Sequence, residues 1–241
     1  MKNWIIASML AGSLGFAVAL RAQTKQDRRL ENAALALSAI MQAPDNGIPT
    51  DLLNRAVCVG IVPSEKKVAF FVGGNYGFGA LVCRRNGGGP WGAPSMIKLK
   101  GGSYGLQLGG EAADIVFIVM SGDTAGKIMQ QTLKLGVDVS AAAGPVGRRA
   151  EAASNAHFNA GILSYSRTRG LFAGISLSGA DLSEDANGNR NLYHRNLTPQ
   201  QILLQGIVPP PASSKALDGI LTKYSPHGGA PFKPAHAASQ Q

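Results

Sequence analysis

The chain has 241 residues, which suits one sizeable domain with tails and is too short for two comfortable ones. Apolar residues make up 45% and charged residues 15%, which excludes a disordered chain. The formal net charge of +9 points to negatively charged partners or to solubility alone. The 31 glycines fall in clusters without a collagen-like period and read as turns, bulges and close strand packing.

Lys2 gives a positive start, and Trp4 to Leu20 carries no charge before Arg21. Ala17-Val18-Ala19 and Ala22 are acceptable small-residue cleavage sites. The run reads as a signal peptide over residues 1–22, against the alternative of an uncleaved anchor. A span of about 17 residues is at the lower limit for crossing a bilayer. Losing Lys2 and Arg21 lowers the net charge from +9 to +7. The expectation is a periplasmic or extracellular protein that meets anionic lipid or another acidic envelope surface rather than nucleic acid.

Thr24 to Met41 is predicted to be a helix with Leu30, Ala33, Ala34, Leu37, Ile40 and Met41 on one side. Lys25, Arg28 and Arg29 crowd its first turns against the helix dipole, as residues kept for a partner would. Pro44-Asp45-Asn46-Gly47 ends it, and Pro49 to Ala56 reads as a short second helix. Val57–Val62 and Val68–Val72 read as a hairpin around Lys66 and Lys67. Gly73-Gly74-Asn75-Tyr76-Gly77 and Gly101-Gly102-Ser103-Tyr104-Gly105 are two related glycine clusters. Further strands are expected at Ala80–Arg85, Ser95–Lys100, Asp114–Met120 and Val137–Ala142. Ala160–Ser166 and Leu171–Ser178 complete the set and meet at a Thr168-Arg169-Gly170 turn. Asp123–Leu135 is predicted as a helix and Asp185–Asn191 as a polar loop. Short helices follow at Thr198–Leu204 and Lys215–Tyr224 around Pro209-Pro210-Pro211.

The two cysteines, Cys58 and Cys83, sit in separate strand-like runs, and export would favour a disulfide between them. The closed loop stabilises by about 3 kcal/mol in the chain-entropy model. No neighbouring ligand set favours a metal instead.

Catalytic motifs fail on context. Gly101 to Gly105 matches G-x-S-x-G, but Leu106-Gln107-Leu108-Gly109-Gly110 does not start the helix a nucleophile elbow needs. Gly122 to Lys127 is one residue short of a phosphate loop and has Ile128 where a hydroxyl is required. Asp185 to Asn189 has its glycine too early for a calcium loop and reads as an Asx-rich turn. No cofactor or metal is expected. The acidic residues Glu111, Asp114, Asp138 and Asp181 are expected to bind turns or pair with Arg148, Arg149, Arg167 or Arg169.

The ordered series Ala56-Val57-Cys58-Val59-Gly60-Ile61-Val62-Pro63, Gly73 to Gly79, Trp91-Gly92-Ala93-Pro94, Gly101 to Gly109, Ala143 to Gly147 and Tyr165 to Ala180 resembles the SYLF domain family. The likeness runs from about Leu30 to about Leu204. It implies no enzymatic activity and binding to phosphoinositides and other anionic lipids, with a link to actin filaments in eukaryotic members. The family's lipid contact is attributed to a basic amphipathic N-terminal helix, which carries onto Thr24–Met41 and onto Lys25, Arg28 and Arg29. The export signal departs from that pattern, removes actin from the expected partners and argues against phosphoinositide as natural ligand.

The expected architecture is α+β, with a twisted, mainly antiparallel, barrel-like sheet in one domain and helices at its ends or on one face. Residues 1–22 form the signal, 23–208 the SYLF-like domain and 209–241 a Pro-rich, partly helical and then disordered tail. The expected function is peripheral, non-catalytic binding to anionic phospholipid or envelope surfaces. Lys25, Arg28 and Arg29 supply charge there, Leu30, Leu37 and Ile40 supply apolar contact, and Lys66 and Lys67 form a second basic point. The alternatives are an envelope protein-interaction module and, behind it, a hydrolase using Ser103 with His157 or His194.

Overall fold

The computed structural model describes residues 23–43, 47–64, 76–101, 113–130, 132–146, 160–168 and 170–226. Outside them lie residues 1–22, where a signal is expected, Lys66 and Lys67, the strand expected at Val68–Val72, Ser103, His157, and residues 227–241.

Among the described residues six α-helices and nine strands are laid out as follows. The helices are α1 Lys25–Met41, α2 Thr50–Arg55, α3 Gly122–Gln130, α4 Ala186–Tyr193, α5 Pro199–Leu203 and α6 Lys215–Tyr224. The strands are β1 Cys58–Val62, β2 Tyr76–Cys83, β3 Ser95–Lys100, β4 Asp114–Val119, β5 Leu133–Lys134, β6 Ala141–Ala143, β7 Ile162–Thr168, β8 Leu171–Gly174 and β9 Asp181–Glu184. They form one curled, half-barrel sheet in the order β5-β9-β3-β2-β1-β4-β7-β6, with β8 also on β7. Every pairing is antiparallel except β6 with β7. The α+β architecture is therefore the one the sequence implies.

β1 sits at the centre, with β2 on one edge and β4 on the other. All five β1 residues are buried, because both faces of the sheet are covered. Cys58 and Val62 point into a core closed by Ala125, Ile128 and Met129 of α3 and Ile202 and Leu203 of α5. Val59 and Ile61 point into a second core closed by α1, by Leu52 and Leu53 of α2 and by Leu217 and Leu221 of α6. The expectation placed helices at the ends of the sheet or on one face, and the structure puts them on both faces. The continuous apolar runs of β1 and β4 are the signature of a strand buried on both sides, and that signal decides the matter. At Gly60 the Phe117 ring of β4 fills the place of a side chain, since a Cβ there would lie 2.0 Å from its Cζ.

Cys58 and Cys83 face each other across β1 and β2 with Cα atoms 4.0 Å apart and are joined by a disulfide. Asp114 accepts a hydrogen bond from the Ser64 amide at 2.8 Å and pairs with Arg167 at 3.6 Å, the bland role foreseen for that carboxylate.

Three local expectations need correction. The helix expected over Asp123–Leu135 stops at Gln130, and Leu133 and Lys134 pair with β9 instead. The strand expected over Val137–Ala142 begins later, at Ala141, after a turn through Gly136 with φ of +81°. The polar loop expected at Asp185–Asn191 is helix α4. Its weak intrinsic propensity is overridden from outside, because Asn189 is fully buried and bonds across to β3 and β9. The Asn189 side chain accepts from the Met96 amide at 2.7 Å and donates to Glu184 at 3.2 Å.

Finally, α6 is part of the packed body, with Leu217 and Leu221 at most 1% exposed, so the folded unit extends past the triproline to Ser225. Among the described residues no helix is long and apolar enough to cross a membrane.

Candidate functional site

Helix α1 begins at a capping box. The Asp27 amide donates to the Thr24 hydroxyl at 3.1 Å, and the Thr24 amide donates back to the Asp27 carboxylate at 3.0 Å. Burial pushes the Asp27 carboxyl upward, but the nearby Ser213 and Thr24 hydroxyls, the Thr24 amide and the charge of His194 outweigh it and hold it below its ordinary value. The anchored first turn sets the direction of three cations.

Arg29 turns inward. Its guanidinium meets Asp185 at 3.1 Å with only 2% of the side chain exposed, and it lies 4.7 Å from the centre of the Phe78 ring. Asp185 also caps α4 by accepting from the Gly188 amide at 3.0 Å. Arg29 is thus a structural cross-tie between α1, β2 and α4, which sets it apart from its two basic neighbours.

Lys25 and Arg28 are exposed. The Lys25 ammonium stands 5.7 Å from the same Phe78 ring. On the sheet, Phe78 is paired with Lys98 and Tyr76 with Lys100. The Lys100 ammonium lies 5.8 Å from the Tyr76 ring, and Tyr76 is 43% exposed. Residues directly opposite in antiparallel strands share a face, so Tyr76, Phe78, Lys98 and Lys100 line one end of the sheet beside the start of α1. Among the described residues no carboxylate lies within ion-pair distance of Lys25, Arg28, Lys98 or Lys100. The outcome is three cations, Lys25, Lys98 and Lys100, around two aromatic rings, with exposed Arg28 on the same turns of α1 and Asp181 opposite Lys100 on β9, an arrangement suited to a diffuse negative surface rather than to bond-making chemistry.

The apolar half of the expected helix contact falls elsewhere. Leu30, Leu37 and Ile40 are all 0% exposed and belong to the core under α6 and the sheet. In this fold they are sealed from any bilayer, because the apolar stripe of α1 is used to cover the sheet. The basic residues Lys25 and Arg28 stay available, Arg29 does not, and Lys66 and Lys67 lie outside the described residues.

Sequence reasoning missed the grouping of Tyr76, Phe78, Lys98 and Lys100 and the pairing of Asp185 with Arg29. The alternations Tyr76-x-Phe78 and Lys98-x-Lys100 were visible, but the register that sets them opposite each other was not. Of the remaining candidates, Asp185 to Asn189 form a cap and a helical turn, and His194 ends α4 in a left-handed conformation with φ of 53°. Gly122 to Lys127 are the opening of α3. Among the described residues no group of His, Cys, Asp or Glu is placed to hold a metal ion.

Comparison with known proteins adds identity to this geometry. A family model described as "Ysc84: Las17-binding protein actin regulator" matches residues 100–224. "LAS seventeen-binding protein 3" of Saccharomyces cerevisiae is 35% identical over 216 residues, covering 87% of this chain and 46% of that protein. "Protein YSC84" of the same yeast is 34% identical over 201 residues, covering 82% and 42%. "SH3 domain-containing YSC84-like protein 1" of Mus musculus is 35% identical over 184 residues, covering 76% and 53%. The chain spans about half the length of these relatives. Their names describe binding proteins rather than enzymes. The expectation that set actin aside is overturned, because the matched family is described as actin regulators and the relatives are eukaryotic.

Proposed function

Since the chain belongs to the Ysc84/SYLF family, we propose that it is a non-catalytic binding module whose basic-aromatic rim docks on an anionic membrane or envelope surface. The observation that carries the reading is the cluster of Lys25, Lys98 and Lys100 around Tyr76 and Phe78, with exposed Arg28 on the same first turns of α1; Asp181 stands opposite Lys100 across β3 and β9, yet none of the four cations is ion-paired among the described residues. Each basic side chain near an anionic leaflet contributes about 1 kcal/mol. Four give an affinity gain on the order of a thousandfold, which is useful, reversible and sensitive to salt. The rings add contact at the headgroup level, where amphipathic aromatics sit well.

Vesicle sedimentation tests this. The protein is expected to bind vesicles of phosphatidylcholine with phosphatidylserine at low ionic strength and to ignore pure phosphatidylcholine. The variant with Lys25, Arg28, Lys98 and Lys100 all changed to Ala should lose most of that binding. Equal binding by the variant, or indifference of the wild type to charged vesicles, sinks the reading.

A second reading rests on the description of the family as actin regulators. The same sedimentation with actin filaments and no lipid separates the two, since a filament-directed chain pellets with actin and leaves the vesicles. We also propose export, supported by the apolar run at residues 4–20 and by the buried disulfide, a bond that persists in oxidising compartments. Fractionation and N-terminal sequencing check it, with a mature start at Gln23 expected and a cytosolic full-length chain refuting it.

A further inference from the structure

The apolar stripe of α1 and the end of α6 together carry one more inference. Leu30, Leu37 and Ile40 are fully buried, and part of their cover comes from α6, which lies against α1 and gives Leu217 and Leu221 to the same core. At its near end α6 follows a 3-10 turn, Ala212–Ser214, that packs against α1; before that turn come Pro209-Pro210-Pro211, of which Pro209 and Pro210 are exposed and none has an amide proton to donate. At its far end it is held by Ser225.

That far end is an unusual clasp. The Ser225 carbonyl accepts from Arg84 Nη2 at 2.9 Å and from Trp91 Nε1 at 3.3 Å. Its hydroxyl bonds Arg84 Nη2 and donates to Asn54 Oδ1 at 2.8 Å. Arg84 is 1% exposed and lies 4.0 Å from the centre of the Trp91 ring, with Nη1 donating to the Gly89 carbonyl at 3.2 Å. Among the described residues no carboxylate pairs with this guanidinium, and its Nε has no partner. A buried cation held by neutral carbonyls and a ring gains hydration when the clasp opens, unlike a purely apolar contact. Burial lowers the pKa of Arg84, in line with that cost.

We propose that α6 is a strap over α1. Its release at a membrane bares part of the Leu30–Leu37–Ile40 stripe and turns charge-only attachment into attachment with inserted apolar side chains. The proposal rests on the membrane reading above and adds its regulation. It fits the amphipathic pattern of α1, basic at its start and apolar along one side, which the closed form uses for packing.

The test uses the full mature chain with vesicles of phosphatidylcholine and phosphatidylserine. Leu217→Ser with Leu221→Ser loosens the strap from its own side and leaves α1 intact. Ser225→Ala is the milder arm, and it decides the matter if the double variant does not fold. Hydrogen exchange of the α6 amides reports how far each variant is loosened. High salt should release a larger fraction of wild type, whose strap opens only part of the time, than of the loosened variants, and the double variant should be retained more than Ser225→Ala. If wild type binds at low salt and a variant with fast-exchanging α6 is released by salt just as wild type is, the strap is refuted and the charged rim stands. If wild type ignores the vesicles and the loosened variants bind at either salt, the strap stands and the charged rim is refuted.

Discussion

Asp185→Ala is the most informative single change, because one carboxylate serves both the Arg29 cross-tie and the α4 cap. Arg29 is 2% exposed at its side chain and Asp185 14%, so the pair is nearly dry. Deleting one partner of a buried pair costs about 3–5 kcal/mol, and the partial exposure of Asp185 argues for the lower end. Loss of the Gly188 cap adds about 1 kcal/mol. The sum is about 4 kcal/mol, or a fall in Tm of about 8–16 °C for a domain of this size. Urea and thermal unfolding followed by circular dichroism measure it directly. Arg29→Met should cost less, since a buried cation gives way to an apolar chain while Asp185 keeps the Gly188 amide and some water. The double variant should fall well short of the sum of the singles. A loss below about 1 kcal/mol for Asp185→Ala, or no coupling to Arg29→Met, refutes the cross-tie.

Reduction of Cys58–Cys83, or Cys58→Ala with Cys83→Ala, should lower stability by about 3 kcal/mol, read as a shift in urea midpoint with and without reductant; an unchanged midpoint contradicts it. Gly60→Ala drives a methyl into the Phe117 ring and should cost at least about 1–3 kcal/mol, whereas Phe117→Leu in the same background should recover part of the loss. Asp27 is held below its ordinary 3.8, so its stabilisation is complete above that value and fades as the pH falls through the lower folded value. The gap in urea midpoint between wild type and Asp27→Asn should therefore be widest near neutrality and shrink in strong acid. Asp218 has the opposite sign: burial raises it, with Arg85 partly offsetting, so the folded state loses stability as pH rises through that range. Asp218→Asn should accordingly unfold at higher urea than wild type at neutral pH, and a lower midpoint there counts against the assignment.

Much of the architecture was legible because it is local. The stripe Leu30, Ala33, Leu37, Ile40 needs only the helical period, and the strands β1 and β4 need only their short continuous apolar runs. Thr198-Pro199 carries its own start signal, and α5 begins where that signal puts it; the helix expected over Lys215–Tyr224 is also present. The cysteine pair needed two strand runs and an oxidising setting.

What sequence alone determined is which side chains must leave water. The period of α1 demanded a cover for Leu30, Leu37 and Ile40, and the chemistry of a leucine is the same under a bilayer as under a protein. Tertiary structure alone chose the cover, because sheet and α6 reach that stripe from far along the chain. Distance in sequence also hid the rest: Arg29 meets Asp185 across 156 residues, Arg84 meets Ser225 across 141, and Asn189 becomes helical only because β3 offers it an amide. Hydrophobic pattern is a property of neighbours along the chain, whereas charge pairing, register and the assembly of Tyr76, Phe78, Lys98 and Lys100 into one rim are properties of neighbours in space.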